Sequence, residues 1–303
     1  MNGERGVTLV ELMIAVAIGV GLVAAAVNLY VQGRAAYRAT ESIARLQEQG
    51  RFALAVIEPD VEMAGHFGFT NDPSTISLVP ELPSGLNACG VGFALDVMQP
   101  VQGSNGRFAL PCPPYQSGAV SGADTLTTRR VDTREARPEA NRLQIHASRF
   151  TSLTSQTLFF DGVAPGVLDE NHRVHNLLVR TYYVARDSVG RRSFPALRVK
   201  SLARSAFDED EVMSGIEDLQ VQFGIGSGAT ARYVNADSAE LMNSRVVAVR
   251  VWLRVRADEP DAAFRDERNY RYADVTYTPS GADRHFRRAV ILRTVAVRNA
   301  RRE

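Results

Sequence analysis

The sequence predicts an α+β fold in which a long N-terminal helix, partly transmembrane and partly amphipathic, packs on an antiparallel β-sheet domain. Three observations predict this class: a continuous apolar stretch near the N-terminus, a one-sided apolar pattern directly after it, and a change to a two-residue period beyond residue 122. The chain has 303 residues. About 240 of them follow the helix, which is enough for one large domain or two small ones.

The apolar stretch has the length of a membrane span. No side chain from Leu12 to Gly33 carries a charge. A helix of these residues would be about 33 Å long at roughly 1.5 Å per residue, slightly more than a bilayer core of about 30 Å. Glu11 stands at the front of the stretch, where an ionised carboxylate costs roughly 2.5 to 3.5 kcal/mol. We therefore expect a specific positive partner for Glu11.

A secretory signal peptide is the alternative interpretation of this segment. Arg5 in a short leader, the apolar run, and the small residues Ala24, Ala25 and Ala26 fit cleavage after an A-x-A site. Two features argue against it. Glu11 interrupts the hydrophobicity that a signal peptide needs, and no helix breaker follows the alanines, so that the helical pattern continues.

Cleavage between Gly6 and Val7 would provide the partner that Glu11 needs. The new α-amino group would start a helix with the acid about one turn away, so that a cation could meet an anion. Within one chain this pair is geometrically awkward, because both groups share the same helix end. A pair between neighbouring, axially staggered copies is easier, and Glu11 is then a residue of assembly as well as of anchoring.

The second part of the helix, residues 34–64, is predicted to be amphipathic. Apolar or small residues recur at three- and four-residue steps, with charged residues on the other faces. The recurring positions are Ile43, Leu46, Gly50, Leu54, Ile57 and Val61. Pro59 predicts a kink or break near 57–60, and Gly65 and Gly68 are predicted to end the helix.

Residues 70–122 are predicted to form a long loop with short elements, since they are rich in Gly, Pro, Ser and Asn. They contain both cysteines of the chain, Cys89 and Cys112. On the outer side of a cytoplasmic membrane, oxidising conditions would let these close a disulfide loop worth about 3 kcal/mol. Two free thiols are the alternative, and the expected topology favours the disulfide.

After the loop, alternating apolar residues predict a series of strands joined by short turns, which favours an antiparallel sheet. The clearest is RVVAVRVWLRVR at residues 245–256, in which one face packs and the other meets water. The other predicted strands are Thr125–Val131, Leu143–His146, Thr157–Phe160, Leu177–Ala185, Ala196–Leu202, Leu219–Ile225 and Ala289–Val297.

Catalytic and metal-binding patterns are weak throughout. His172 and His175 lack further ligands and are interpreted as surface histidines, and the glycine-rich 224–228 lacks the rest of a phosphate-binding fingerprint and is interpreted as a turn. The acidic run 208–211 lacks the spacing of a calcium loop and is interpreted as a solvated loop. In Tyr182-Tyr183, alternation would place one ring inward and one outward. We expect no enzyme activity, cofactor or metal.

The net charge of +1 gives no indication of a nucleic-acid surface. Basic residues gather near the C-terminus, but they alternate with apolar ones, as on the wet face of a strand.

The segment GVTLVE at residues 6–11, after a short charged leader and before an apolar helix, resembles the type III signal of type IV prepilins and type II secretion pseudopilins. This resemblance implies that residues 1–6 are a leader cleaved after Gly6 by a prepilin peptidase, that Val7 is N-methylated, and that Glu11 pairs with the N-terminus of an adjacent subunit. It also assigns 7–33 to the transmembrane half of the helix. The family usually has Phe where this chain has Val7.

Further segments resemble the PilW family of type IV pilus minor pilins. Pro59 departs from this family, which usually continues its helix at that position. These segments are LQEQGRFALAVIEPDVEMAGHFGF (46–69), GADTLTTRRVD (122–132), VRTYYVAR (179–186), SGIEDLQVQFGI (214–225) and RRAVILRTVAVRNA (287–300). The resemblance implies a pilin-like fold with a globular β-rich domain over 65–303.

The resemblance implies a minor pilin that helps to prime and assemble the type IV pilus fibre, in a minor-pilin complex at or near the tip. The implied partners are other minor and major pilins, the prepilin peptidase and methyltransferase, the inner-membrane assembly platform, and membrane lipid before assembly. The implied location is the inner membrane, with one span and a periplasmic C-terminal domain, and then the fibre at the cell surface.

Two rival functions remain open at this stage. A larger, J-like type II secretion pseudopilin shares the leader and the helix and differs in the machine that it joins. An envelope enzyme or binding protein with a simple signal or anchor predicts cleavage near Ala26, or none.

Overall fold

The computed structural model describes residues 8–78, 89, 92–150, 156–204, 206–226 and 230–300. It divides into two compact units, Met1–Arg45 and Leu46–Glu303. Helix α1, Leu9–Glu62, supplies the described secondary structure of the first unit, and its last turns lie in the second unit. All described strands lie in the second unit, so that the α+β class predicted from the sequence is confirmed.

Helix α1 does not break at Pro59, which corrects the expected interruption at 57–60. The helix continues to Glu62, and the Met63 N–H donates to the Pro59 carbonyl at 3.1 Å. Pro59 removes one helical hydrogen bond, but its ring is exposed and only one turn remains after it. The following residues, Asp60 and Val61, are buried and are held by the sheets. The chain then turns at Gly65, whose φ of 79° lies in the left-handed region.

Fourteen strands are assigned in the described part of the chain. In chain order they are β1 Ile76–Leu78, β2 Val101–Ser104, β3 Thr125–Val131, β4 Ala140–Ser148, β5 Gln156–Asp161, β6 His172–Ala185, β7 Ala196–Ala203, β8 Ala206–Ser214, β9 Ile216–Ile225, β10 Arg232–Asn235, β11 Val246–Arg256, β12 Tyr270–Tyr272, β13 Val275–Tyr277 and β14 Arg288–Ala296. Short 3₁₀ helices span Pro73–Thr75, Ala239–Asn243 and Gly281–His285.

The strands form three sheets. The largest has eight strands in the order β1-β5-β4-β6-β3-β2, and β7 and β8 extend it from the second half of β6. The second has the order β10-β9-β11-β14 and is antiparallel throughout. The third is the hairpin β12-β13. Of the assigned pairings, β1 with β5 is parallel and the others are antiparallel. Apart from this one pair, the strands are therefore antiparallel, as predicted.

Each strand predicted from alternation coincides with an observed strand. The predicted and observed bounds differ by no more than five residues, the largest difference being at the start of β6. The acidic run 208–211 was expected to be a solvated loop, and this expectation is wrong. These residues form the centre of β8. The glycine-rich segment begins inside β9, whose last residues are Gly224 and Ile225, and Gly226 follows with a φ of 119°. Ser227 and Gly228 lie outside the described residues.

One apolar face of α1 forms the centre of the main core. Its buried positions pack with side chains from both large sheets, including Leu126, Tyr182 and Val251. The helix contributes Leu46, Ala53, Leu54, Ile57 and Val61. Each large aliphatic side chain buried here stabilises the fold by about 1.5 to 3 kcal/mol. A second core lies around Phe67, Ile145 and Leu177, and a third joins Trp252 to the hairpin β12-β13.

Candidate functional site

The predicted cleavage and methylation residues, Gly6 and Val7, lie outside the described residues. The description begins at Thr8, directly before the first residue of α1. Glu11, which was predicted to need a partner, lies in the first turn of the helix.

Glu11 is held by Thr8 in a capping box. The Thr8 N–H and hydroxyl donate to Glu11 Oε2 at 2.9 and 2.8 Å, and the Glu11 N–H donates to Thr8 Oγ1 at 3.3 Å. This arrangement satisfies N–H groups that a helix start leaves without intrahelical partners. Both bonds from Thr8 go to one carboxylate oxygen, so that Oε1 receives no hydrogen bond from the described residues of the unit. The carboxylate is therefore oriented at the helix start with one oxygen available.

Beyond Glu11, the apolar side chains of the first unit are exposed on every face. Leu29 is 70% exposed, and similar fractions recur at Leu9, Met13, Ile18 and Val23. Among the described helices, α1 is the one that is long and apolar enough to cross a membrane. A helix that is apolar all round belongs in lipid or against other apolar helices.

Polar and aromatic residues mark the end of this apolar part. Tyr30 and Tyr37 are largely exposed, and the Arg34 guanidinium lies 5.7 Å from the centre of the Tyr30 ring. About two to three turns after Arg34, Arg45 forms an exposed ion pair with Glu41 at 2.8 Å. Tyrosine and arginine are the residues that prefer the boundary between hydrocarbon and headgroups.

In the second unit, a buried carboxylate fixes the last turn of α1 to the sheet. Asp60, which is 1% exposed, accepts hydrogen bonds from Arg130 on β3 and from Arg180 on β6, with shortest distances of 2.8 and 3.0 Å. The Tyr182 hydroxyl donates to Asp60 Oδ2 at 2.6 Å. Burial, followed by the nearby Asp60 carboxylate, raises the pKa of Tyr182 well above its ordinary value.

The predicted disulfide between Cys89 and Cys112 is present, with a Cα–Cα distance of 4.3 Å. The chain that it closes is attached to the sheet by Arg129 of β3, a fully buried side chain. Its guanidinium donates to the carbonyls of Phe93 and Gln99 at 2.7 and 2.8 Å. Burial lowers the pKa of Arg129 to about 10, because the charged form lacks water.

His175 and the pair Tyr182-Tyr183 are more buried than the sequence predicted. His175 is buried on β6, where Nδ1 lies 2.9 Å from the Asp132 carbonyl, whereas His172 is partly exposed and stacks on His146 at 5.4 Å. No group of three or more metal-ligating side chains occurs among the described residues. Tyr182 and Tyr183 are both buried, not one inward and one outward, because β6 is covered on both faces.

The acidic run also has a structural role in β8. Glu209 forms an ion pair with Lys200 of β7 at 2.8 Å and accepts a hydrogen bond from the Tyr183 hydroxyl. Glu211 accepts a hydrogen bond from the hydroxyl of the buried Ser188, also at 2.8 Å. Alternate acids therefore satisfy buried partners, and Asp208 and Asp210 face water.

Sequence reasoning identified Glu11 but missed two of the residues that position the helix. Thr8 could have been found, because Thr8-x-x-Glu11 is the sequence signature of a capping box. Asp60 gave no such signal. Its partners, Arg130 and Arg180, are 70 and 120 residues away in the chain and are known only from the fold.

Two family models agree with the resemblance drawn from the sequence. The family model described as "Type IV Pilus-assembly protein W" matches residues 181–299, and the model of the prokaryotic N-terminal methylation motif matches residues 1–27. No curated protein matches the chain. A solved type IV-like pilin from Thermus thermophilus is similar over 85% of this chain and 98% of its own, with 13% identity and a TM-score of 0.40.

The two family models confirm the suspected relation to PilW-type proteins with a prepilin-type N-terminus. The matched ranges include Glu11 and most of the strands from β6 to β14. Both descriptions concern pilin-type proteins of the pilus, which are structural components and not enzymes, as predicted. They support a pilin-type role, with a membrane anchor in the N-terminal helix and with other pilins and the prepilin peptidase as partners.

Proposed function

We propose that this chain is a minor pilin that joins other minor pilins in priming the type IV pilus fibre, in a complex at or near its tip. The observation that carries the proposal is an exposed apolar helix that starts at an oriented acid, in a chain that matches the PilW family model. Among the described residues of its own unit, such a helix has no apolar partner. Lipid before assembly and sister helices afterwards would provide one.

In this proposal the prepilin peptidase cuts between Gly6 and Val7, and Val7 is then N-methylated. The new amine would begin one residue before Thr8. Glu11 Oε2 is engaged by Thr8, while Oε1 is available to a cation from a staggered neighbour. Each added subunit would then place its amine opposite a preformed acceptor, which would set the axial stagger of the helices.

The proposed location follows from the same segment. The apolar part of α1 spans the inner membrane once, the second unit lies in the periplasm, and the assembled subunit reaches the cell surface in the fibre. The disulfide Cys89–Cys112 agrees with an oxidising compartment, because such bonds persist mainly outside the cytosol. The assembly platform of the inner membrane would then act on the anchored form.

The proposal is tested with two substitutions that separate charge from capping. In Glu11→Gln the amide oxygen can still accept the Thr8 bonds, whereas Glu11→Ala loses both the cap and the charge. We expect both variants to insert in the membrane and both to show at least about tenfold lower incorporation into sheared fibres, because the loss of the charge is the shared change. Immunoblots of membrane and fibre fractions measure this.

Normal incorporation of Glu11→Gln with loss only in Glu11→Ala would assign Glu11 to helix capping and contradict the charge-pairing step. The intact mass of the membrane-extracted chain is the second measurement. A chain that starts at Val7, with the mass of one added methyl group, is expected. A start after Ala26 would contradict the proposal as a whole, because the apolar helix would then be absent from the mature protein.

A further inference from the structure

The outer edge of β14 is an open edge of the four-stranded sheet. β14 pairs with β11 on one side, and no described strand pairs with its other side. The Val297 N–H donates to the Val247 carbonyl just beyond one end of this pairing, at 2.9 Å. The Ala257 N–H donates to the Arg287 carbonyl beyond the other end, at 2.9 Å. Odd-numbered residues of β14 therefore bond to β11, and even-numbered ones direct N–H and C=O outward. The first of these, Arg288, accepts a bond from the Arg268 guanidinium at its carbonyl, at 3.0 Å, and the open row consists of Val290, Leu292, Thr294 and Ala296.

The outward backbone groups of the open row receive no hydrogen bond from the described residues. The next outward residue along the chain, Arg298, donates its N–H to the Glu62 carbonyl at 3.0 Å and so ends the open row. Within the row, Leu292 is 51% exposed, and Thr294 and Ala296 are also exposed. The row is thus an accessible series of unpaired backbone donors and acceptors.

A second edge in the same molecule shows how an edge is normally protected. β8 is an edge strand of the large sheet, and its exposed positions include Asp208 and Asp210. Charges at such positions oppose pairing with another strand. The outward row of β14 carries no charge at all from Val290 to Ala296. Within this stretch β14 carries one exposed charge, Arg293, which is paired with Glu58, so that its edge is less protected by charge than that of β8.

The two faces of β14 define the chemistry of a strand that would fit. On one face Leu292 lies opposite Trp252 of β11 and is half-exposed, so that a neighbouring apolar side chain would remove it from water. On the other face Arg293 is 54% exposed and bonds to a single oxygen of Glu58, at 2.5 Å. An acidic or neutral polar side chain is favoured beside this guanidinium.

We infer that the outer edge of β14 accepts an extended strand of another pilin-type subunit, with an apolar side chain beside Leu292 and an acidic or polar one beside Arg293. This inference rests on the proposed function, which supplies the class of partner. Main-chain hydrogen bonds would give the affinity, and the two side-chain positions would give the specificity. A second copy fits less well. Two-fold antiparallel pairing with Leu292 opposite Thr294 places Arg293 opposite Arg293, and pairing with Leu292 opposite Leu292 places it opposite Ile291, so that neither gives Arg293 an acidic or polar neighbour.

Photo-cross-linking of the full-length chain in membranes tests the inference. The chain is coexpressed with the minor and major pilins of its own organism and carries a photoreactive phenylalanine analogue at position 292. The matched control carries the analogue at position 189, because Val189 is an exposed apolar residue in the segment that connects β6 and β7 of the other large sheet. We expect a product with another pilin-type subunit from position 292 and not from position 189, identified by mass spectrometry.

Two edge variants are combined with the probe. Thr294→Pro removes an outward N–H that has no described partner within the protein, and Thr294→Lys places a charge on the open row. Each should lower the yield of cross-linked product at least about fivefold, because strand pairing needs both the N–H and an uncharged edge. The fluorescence of Trp252 during unfolding shows whether each variant keeps the fold.

No product from position 292, or equal products from both positions, would overturn the inference. A product made of two copies of this chain would also overturn it, because the edge would then serve self-association. The proposed function is separated by the Glu11→Gln fibre assay. If that variant is not incorporated and position 292 gives no product, the edge inference alone fails, whereas normal incorporation of Glu11→Gln counts against the proposed function instead.

Discussion

Helix α1 is one continuous helix, yet its two parts meet opposite conditions. In the first unit, from Leu9 to Arg45, large apolar side chains are exposed on all faces. In the second unit, from Leu46 to Glu62, one face is buried in the main core and the other meets water. Asp60 adds a buried set of charge-assisted bonds to the second part.

This difference shows where the stability and the function of the helix are located. The second part is stabilised by its own sheets, because burial of its apolar face and the bonds of Asp60 hold it in place. The first part makes no such contacts in its own unit, and its apolar surface requires lipid or other subunits. Substitutions in the second part should therefore change folding, and equivalent substitutions in the first part should change insertion or assembly.

The largest effect is expected from the buried charge. Asp60→Ala removes the shared acceptor of Arg130, Arg180 and the Tyr182 hydroxyl, and leaves these donors without that partner. We expect a loss of about 3 kcal/mol in the free energy of unfolding, towards the low end for a buried pair because Arg180 is partly exposed. Urea unfolding of the full-length chain in detergent, followed by the fluorescence of the single tryptophan, Trp252, measures this.

The control for Asp60 is an ion pair in the first part of the helix. Glu41→Ala removes the exposed pair with Arg45, which should change the free energy of unfolding by less than about 0.5 kcal/mol. Equal effects of the two substitutions would contradict the distinction between the two parts of α1. Asp60→Asn refines the test, since its amide oxygen still accepts the Tyr182 hydroxyl, and an intermediate loss is expected.

Glycine substitutions give the next effect, of about 2 kcal/mol. A Cβ at Gly50 would overlap Ile291 Cδ1 and lie 3.1 Å from Val255 Cγ2, so that Gly50→Val should overpack the contact between α1 and the sheet. A Cβ at Gly33 would have no atom within 4 Å. Gly33→Val should therefore leave the urea midpoint unchanged. A destabilising Gly33→Val together with a neutral Gly50→Val would contradict the claim that only the second part of α1 is packed against the protein's own sheets.

Much of the fold could be predicted from the sequence, because a buried face produces a period. The helix and the longer strands apart from β8 have such a period, and each was predicted. β8 was missed because acids at 208–211 hide its alternation, although Glu209 and Glu211 face partners within the protein. Strands such as β1, β10 and β12 have three or four residues, which is too short for a period to be visible.

The residues of the candidate site also divide into those with a local sequence signal and those without one. Glu11 could be found because a charge beside an apolar run is anomalous in the sequence itself. Pro59 predicted a kink or a break, and the break does not occur, because the burial of Asp60 and Val61 outweighs one lost hydrogen bond. The partners of Asp60 and the open edge of β14 depend on strand order and register. Those follow from three-dimensional pairing and leave no local signal in the chain.

The smallest expected effect concerns pH and contrasts a buried carboxylate of the second unit with an exposed one of the first. Asp124 accepts the N–H groups of Gly106 and Val221 at 2.7 and 2.8 Å and is 1% exposed. Burial raises its pKa to about 7 despite these two bonds. The folded protein therefore holds a proton that the unfolded chain releases near pH 4.

The direction of the pH effect follows from this proton. Its contribution to stability is fully present below about pH 4, declines as the pH rises towards 7, and is absent above that value. Relative to Asp124→Asn, the wild-type chain should lose on the order of 1 kcal/mol between about pH 6 and pH 8. Urea midpoints at the two pH values measure the difference. Glu41→Gln changes an exposed carboxylate in the first unit, and its urea midpoint should change with pH as that of the wild type does. If the midpoint of Asp124→Asn also changes with pH as that of the wild type does, Asp124 does not titrate in this range.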